Sequence, residues 1–521
     1  MSQDTRRTHH QVVFVVLAAG ILAFSLLQSL LTPVLPTVQN ALHTSQSTVT
    51  WVLTAYLLSA SVFTPIMGRI GDVAGRKPVF IVAMAALSLG ALLAALAGNV
   101  TVLIVARIVQ GVGGGVLPLA FGVIRDEFPK DKVSGAVGLI ASLTAVGAGT
   151  GVVLAGPIVN ALDYHWLFWI PMILTAAAAV AAQLLVPASS VRTPGRVGWR
   201  PALLMSAWLV ALLMALSKAP RWGWGSGRVI GLLVSAVVLG FLWVRVEKRS
   251  AAPLVDMRMM RLPAVWTNNL VSLLLGVSMY ALFAFVPQFV QTPVSSGYGF
   301  GASVTQSGLI LLPLTVMMFL SGLVSGRLAG RLGGRAVIGL GLLISLSSVA
   351  VLVLAHSAKW ELYLATGLLG AGFGLAFSAM SSLIVGAVPP EQTGVAGGMN
   401  TNIRNVGGAI GAALMTSVVT ADLAPTGLPR ESGYTHGFAM LGGAVVIALF
   451  AVLLMPRSTG GRSPAHRRVP GEARGGDTPA GPVPVRDGAA ADGGRITVRC
   501  VRSRRVRGPA RAGPLRAATP V

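Results

Sequence analysis

The sequence predicts an all-α polytopic membrane protein, and three observations predict it. Hydrophobic residues make up 54% of the 521 residues, charged residues only 11%, and mean hydropathy is +0.75. A soluble globular chain carries about 25% charged residues. The charge is also segregated: no Asp, Glu, Lys or Arg lies between Arg7 and Arg69, or between Arg261 and Arg327. Finally, GRIGDVAGRK from Gly68 recurs in degenerate form as GRLAGRLGGR from Gly326, half a chain later. A basic, glycine-rich turn repeated between apolar runs marks a duplicated helical bundle. A β-barrel would show short alternating segments instead.

A transmembrane helix needs about 20 mostly apolar residues, so each charge-free stretch holds two helices and a turn. The apolar runs place fourteen spans, near 12–33, 50–68, 78–97, 100–122, 134–158, 165–186, 201–217, 228–245, 264–290, 305–325, 336–355, 361–386, 393–420 and 436–455. The start, MSQDTRRTHH and a long apolar run, reads as an uncleaved first span. It exceeds the apolar core of a signal peptide and lacks an A-x-A-like site.

These spans divide the chain. Residues 1–11 form an N-terminal arm, 12–190 a six-helix bundle, 191–262 two extra helices with linkers, and 263–456 a second six-helix bundle. The repeat runs past the turn. Gly111, Gly113 and Gly115 align with Gly370, Gly372 and Gly374, and Asp131, Ala136 and Gly138 with Glu391, Ala396 and Gly398. A parallel repeat about an axis along the membrane normal places a substrate path between the halves, near the midplane.

The net charge of +24 suggests nucleic acid, but topology accounts for it. With the N-terminus inside, most Lys and Arg fall in the N-terminal arm, the cytoplasmic loops and the tail. Only Lys218, Arg221, Arg228, Lys359 and Arg430 fall outside, which is the positive-inside pattern. Both termini are therefore cytoplasmic, and no nucleic-acid partner is expected. The tail, 457–521, is rich in Arg, Gly, Pro and Ala. It has too little apolar surface to offset ordering entropy, so it is expected to be disordered. Attraction to the anionic inner leaflet and a low-complexity extension without a role both remain open. The single cysteine, Cys500, lies there, so no disulfide framework or cysteine metal site is expected.

Four stretches carry a family resemblance: WVLTAYLLSASVFTPIMGRIGDVAGRK (51–77), LIVARIVQGVGGG (103–115), GAGTGVVLAGP (147–157) and NIRNVGGAIGAA (402–413). Over roughly residues 11–456 the chain resembles the major facilitator superfamily, and within it the fourteen-helix drug:proton antiporters of EmrB/QacA type. The resemblance implies a major facilitator fold, two six-helix bundles plus two extra central helices. It also implies a monomer that exports drugs, antibiotics or related amphiphilic small molecules across the bacterial inner membrane. Protons would be the exchanged partner, and the proton gradient would stand in place of any cofactor. The family normally has Pro after the second Gly of the fifth-helix pattern; here Val152 stands there, and Pro157 follows five residues on.

Gly68, Gly71 and Gly75 permit close helix approach and a tight turn. Asp72 is an acid among Arg69, Arg76 and Lys77. The resemblance implies that Asp72 latches the bundles on the cytoplasmic side, with Arg76 as its partner; a plain positive-inside turn explains the basic residues alone. Gly330 stands where the first copy has Asp72, so the latch is asymmetric. Arg107 lies deep in a span, where a charge is costly and faces the interior. The resemblance implies a part in proton movement; a structural arginine bonding carbonyls is the alternative. Gln110, one turn on, shares its face. Gly147, Gly151, Gly156 and Pro157 let the fifth helix pack and bend. Arg404 sits with Asn400, Asn402 and Asn405, either as substrate contacts or as polar glue between helices. Asn268 and Asn269 carry the same ambiguity. Trp51, Tyr56, Tyr280 and Phe283 line an aromatic cavity or anchor helix ends.

An absence is equally informative. Proton-driven transporters need an embedded titrating group, usually a carboxylate, and no span holds one at mid-depth. The family's first helix commonly carries an acid nine residues before a proline; counting back from Pro36 gives Leu27, then Gln28, a candidate cavity residue. Asp126 and Glu127, beside Arg125, are the best embedded acids. Lipophilic cations should therefore not be preferred. Neutral, zwitterionic or anionic amphiphiles fit better, with Arg107 and Arg404 available, and proton coupling would run through Asp72, Arg107, Asp126 and Glu127. No G-x-x-x-x-G-K-[ST] loop points to ATP. No H-E-x-x-H, mid-depth Ser/His/Asp set or metal cluster points to an enzyme. A dedicated exporter or importer of one metabolite, without proton coupling, remains the alternative.

Overall fold

The computed structural model describes residues 3–44, 46–187, 198–250, 253–389, 392–425 and 428–456. Glu391 and the tail discussed above lie outside the described residues.

Among the described residues, fourteen long helices form. They are α1 (Gln3–Ser29), α2 (Gln46–Ala74), α3 (Arg76–Ala95), α4 (Val100–Glu127), α5 (Lys130–Ala161), α6 (Trp166–Leu185), α7 (Trp199–Trp222), α8 (Gly227–Arg249), α9 (Pro263–Gln291), α10 (Val304–Leu332), α11 (Gly334–Leu354), α12 (Lys359–Ala387), α13 (Thr393–Val419) and α14 (Glu431–Leu453). Thirteen are long and apolar enough to cross a membrane. The exception, α13, corresponds to the expected span 393–420. Asn400, Asn402, Arg404 and Asn405 lower its hydropathy. Its polar side chains Asn400, Asn402 and Arg404 are buried against other helices, the usual place for such groups within a membrane.

The first span is shorter than the apolar run suggested. After Ser29 the chain leaves α1, makes a 3-10 turn at Thr32–Val34 and forms a short helix, Leu35–Ala41. Pro33 and Pro36 each fall in the first turn of one of these pieces. A proline has no N–H to donate to a preceding turn, so it fits there and not inside a continuing helix.

The two halves repeat the same pairings. α1 lies on α5 and α6, α3 on α6, and α4 on α2 and α3; likewise α9 lies on α13 and α14, α11 on α14, and α12 on α10 and α11. The glycine stripes explain the last of these. A Cβ at Gly111 would lie 2.3 Å from the Ser59 Cβ of α2, and one at Gly113 2.2 Å from Leu87 of α3. Gly370 and Gly372 meet Leu314 of α10 and Ser345 of α11 in the same way. The run also tightens α4 locally into a 3-10 turn at Val112–Gly115, one turn from Arg107. The halves join through α5 on α10 and α2 on α13, the second helix of each half on the fifth of the other. α7 packs on α8, α2 and α13. α8 leaves Ile230, Val234, Val237, Val238 and Phe241 exposed, an apolar face suited to lipid.

The repeated turns lie at one end, called the basic end below. Gly75 has φ 104° and Gly333 φ 84°, where only glycine is unstrained. The basic residue two positions on acts alike in both copies: Lys77 Nζ donates to the Gln183 carbonyl at 2.9 Å, and Arg335 Nη1 to the Met455 carbonyl at 3.0 Å. Each tethers the end of the sixth helix of its half, where a cation also suits the helix dipole. Gly75→Ala should cost about 1–3 kcal/mol, read as a lower melting temperature of the purified protein; an unchanged midpoint would refute the strain at this turn.

Candidate functional site

The site has two parts, one at the basic end and one around an arginine buried in each half. At the basic end Asp72 closes α2 and Arg76 opens α3, and the Gly75 turn brings them together. Arg76 Nη2 donates to Asp72 Oδ1 at 3.1 Å and its Nε to the same oxygen at 3.3 Å. Arg76 Nη1 donates to the Gly122 carbonyl of α4 at 3.0 Å and also pairs with Asp126. All three charged side chains are buried. Glu127, the neighbouring acid, is half-buried.

Asp72 has a second face. The Gly394 N–H donates to Oδ1 at 3.4 Å and the Val395 N–H to Oδ2 at 3.2 Å. Both belong to the first turn of α13, whose N–H groups have no partner within the helix and carry its positive dipole end. An acid of the first half therefore caps a helix of the second. The approach is close: a Cβ at Gly68 would lie 2.5 Å from the Gly394 carbonyl oxygen. Arg125 adds a second strap, donating to Thr393 Oγ1 at 2.8 Å and to the Val385 carbonyl. Ser382 Oγ donates to the Ser134 carbonyl at 2.7 Å, joining α12 to α5. The halves are closed on each other at the basic end. In the second copy a Cβ at Gly330 would meet nothing within 4 Å, so no counterpart of the Asp72 cap forms there.

Away from that end each half buries an arginine. Arg107 of α4 donates from Nε to the Val52 carbonyl at 3.2 Å and from Nη1 to Gln110 Oε1 at 2.6 Å. Its guanidinium lies 4.4 Å from the Tyr56 ring centroid. Arg404 of α13 lies over the Phe377 ring of α12 at 4.3 Å, and against Tyr280 of α9. The Tyr280 hydroxyl donates to Asn405 Oδ1 at 2.9 Å. Tyr56 and Tyr280, from opposite halves, lie within electrostatic range of each other. The buried Gln110 Nε2 and Arg404 Nε have no hydrogen-bond partner among the described residues.

The other predicted residues are placed differently. Asn402 Nδ2 donates to the Ser61 carbonyl at 2.6 Å, joining α13 to α2. Asn268 Nδ2 donates to the Met380 carbonyl at 2.9 Å, and Asn269 Oδ1 accepts from Asn400 Nδ2 at 2.9 Å. Both asparagines thus bridge helices inside the second half, the glue alternative above. Trp51 lies under Lys218 of α7 at 4.5 Å, at the end opposite the turns. Gln28 is half-buried on α1. Gly147 and Gly151 seat α5 on α1: a Cβ there would meet Leu22 O at 2.9 Å and Leu26 O at 3.0 Å. Gly156 faces Thr305 of α10 instead. α5 continues through Pro157. A surface cavity of about 570 Å³ opens between α7 and α8, lined by Trp199, Arg200, Arg245 and Arg249. It is remote from Arg107 and Arg404.

Sequence reasoning did not single out Arg125, Thr393 or Phe377. Arg125 had a signal, since it adjoins Asp126 at the mouth of a span. Phe377 had none, because an aromatic in an apolar helix looks like any core residue.

The duplicated helical bundle agrees with the comparisons. The profile of the Major Facilitator Superfamily matches residues 17–412 and 270–507. The chain is 29% identical over 402 residues to the tetracenomycin C resistance and export protein of Streptomyces glaucescens, covering 76% of this chain and 74% of that one. It is 26% identical over 475 residues to a multidrug resistance protein B homolog of Mycobacterium tuberculosis H37Rv, covering 82% and 85%. It is 30% identical over 414 residues to an uncharacterized transporter of the same strain, covering 77% of this chain and 58% of that one's length. Among solved structures, the human organic anion transporter MFSD10 shares the fold, with a TM-score of 0.62 and 18% identity over 87% of this chain and all of that one. A duplicated helical bundle joined in this way, with the family profile matched over most of its length, is a multi-pass membrane transporter and not an enzyme: the chain belongs to the Major Facilitator Superfamily.

Proposed function

We propose that this transporter exports amphiphilic small molecules, drugs or antibiotics among them, across the bacterial inner membrane by alternating access in exchange for protons. It acts as a monomer with both termini inside, an orientation supported by the basic loops. The observation that carries the reading is the Asp72 cap on α13. It joins the halves at one end through a few charge-assisted bonds, so it can be made and broken as the halves rock. Relatives described as drug or antibiotic resistance proteins support the substrate class. The proton enters at the same cluster. Neutralising Asp72 removes the charge that holds both Arg76 and the α13 N-terminus, which frees the basic end to open. Asp126 then keeps Arg76 paired.

Efflux from inverted vesicles tests this, with a neutral amphiphile and a lipophilic cation offered in parallel, with and without an uncoupler. Transport of the neutral compound that the uncoupler abolishes is the expected result. Transport indifferent to the uncoupler would refute proton exchange. It would favour the second reading, a transporter of one metabolite without proton coupling. That reading draws on one observation: no span holds a carboxylate at mid-depth.

A further inference from the structure

Arg107 and Arg404 are buried, at 0% and 4% exposure, yet no carboxylate among the described residues pairs with either. The partners of Arg107 are a carbonyl, an amide and a phenol ring; those of Arg404 are Phe377 and the Tyr280 phenol. Burying a cation without a counter-charge is costly. Proteins ordinarily offset that cost with a carboxylate or a bound anion. Aromatic faces attract guanidinium groups, but leave each net positive charge in place. The two cations also come from opposite halves, α4 and α13, each beside a phenol, Tyr56 and Tyr280. Among the described residues Arg404 Nε and Gln110 Nε2 remain without acceptors.

Resting on the exporter reading above, we propose that the transported substrate is an aromatic organic anion. Its acidic group is held by Arg404 and Arg107, and its ring lies among Tyr56, Tyr280 and Phe377. The substrate supplies the missing counter-charge when the halves part. An anion leaving a cell is also driven outward by the inside-negative potential, in addition to the proton exchanged at the Asp72 cluster. One elementary charge gains about 50-fold in concentration ratio per 100 mV.

Binding to the purified full chain tests the site with three probes of one ring system: 2-naphthalenesulfonate, 2-naphthalenesulfonamide and (2-naphthylmethyl)trimethylammonium. The sulfonate should bind at least about tenfold more tightly than the other two. Arg404→Gln should weaken the sulfonate about tenfold or more and leave the sulfonamide within about twofold, while Arg404→Lys restores part of the loss. Arg107→Gln, made separately, should act in the same direction and covers the case in which Arg404→Gln does not fold. Equal or tighter binding of the neutral or cationic probe, no binding of the sulfonate, or no effect of either glutamine variant overturns the proposal. In proteoliposomes with a valinomycin-imposed potential and no pH gradient, the sulfonate should accumulate on the positive side. If it binds but never moves, the anion site stands and the exporter reading falls. If only the other probes move, the exporter reading stands and the anion proposal falls.

Discussion

Replacing Asp72 with Ala should open the basic end. In the parent protein, a cysteine at Ser61 should be shielded from a maleimide added on that side, because Ser61 is 1% exposed between α2 and α13. Its backbone carbonyl, which accepts from Asn402, survives the change to cysteine. In Asp72→Ala, the Gly394 and Val395 N–H groups lose their acceptor, and Arg76 keeps Asp126 and the Gly122 carbonyl. Losing a helix cap costs about 1–2 kcal/mol, and losing one member of a buried ion pair adds to this. Since about 1.4 kcal/mol is tenfold in population, labelling should speed up by at least about tenfold, and export should fall with it. Asp72→Asn retains one acceptor oxygen and should fall between parent and Ala. Labelling of the Ala variant at the parent rate would remove the latch from this account.

Gly407→Leu should prevent the second half from assembling. α9 and α13 touch backbone to backbone along a reciprocal series. A Cβ at Gly407 would lie 2.1 Å from the Leu273 carbonyl oxygen, one at Gly411 2.0 Å from that of Val277, and one at Gly276 2.2 Å from that of Arg404. A colliding side chain can change rotamer, but a carbonyl in a helix cannot move without moving the helix. Small residues at such contacts are what allow membrane helices to approach. Overpacking costs about 1–3 kcal/mol where side chains can adjust, and more is expected here. The yield of monodisperse protein after solubilisation should drop about tenfold or more. Gly443→Leu on α14 is the matched control, since a Cβ there meets nothing within 4 Å. Equal loss in both variants would mean that helix propensity, not the α9–α13 contact, is responsible.

The pairing of Asp72 with Arg76 was legible through the family resemblance of the Gly68–Lys77 stretch, and the Gly75 turn brings the two side chains together. Gln110 was legible as a neighbour of Arg107 because residues three apart share a helical face. The second face of Asp72 was not. Its partners are backbone N–H groups of Gly394 and Val395, which every non-proline residue carries and which leave no mark in a sequence. Asn268 and Asn269 remained ambiguous because an asparagine that glues two helices and one that meets a substrate have the same composition. The first span was misjudged in length because apolar character persists past Ser29 while Pro33 and Pro36 break the helix. The helix α13 shows the converse: it forms where expected although its polar residues make it too hydrophilic to stand alone in lipid.

By itself the sequence determined that this is a membrane-spanning helical protein, built twice over, with its basic turns at one end. Hydropathy, charge segregation and glycine spacing are properties of short stretches, and the bilayer acts on each stretch almost independently. Only the tertiary structure decided that Asp72 caps α13, that Arg125 straps Thr393, and that among the described residues no carboxylate pairs with Arg107 or Arg404. Those outcomes depend on which surfaces meet across the two halves, through contacts more than 250 residues apart in the chain. No local preference encodes such a meeting; it follows from packing the whole bundle.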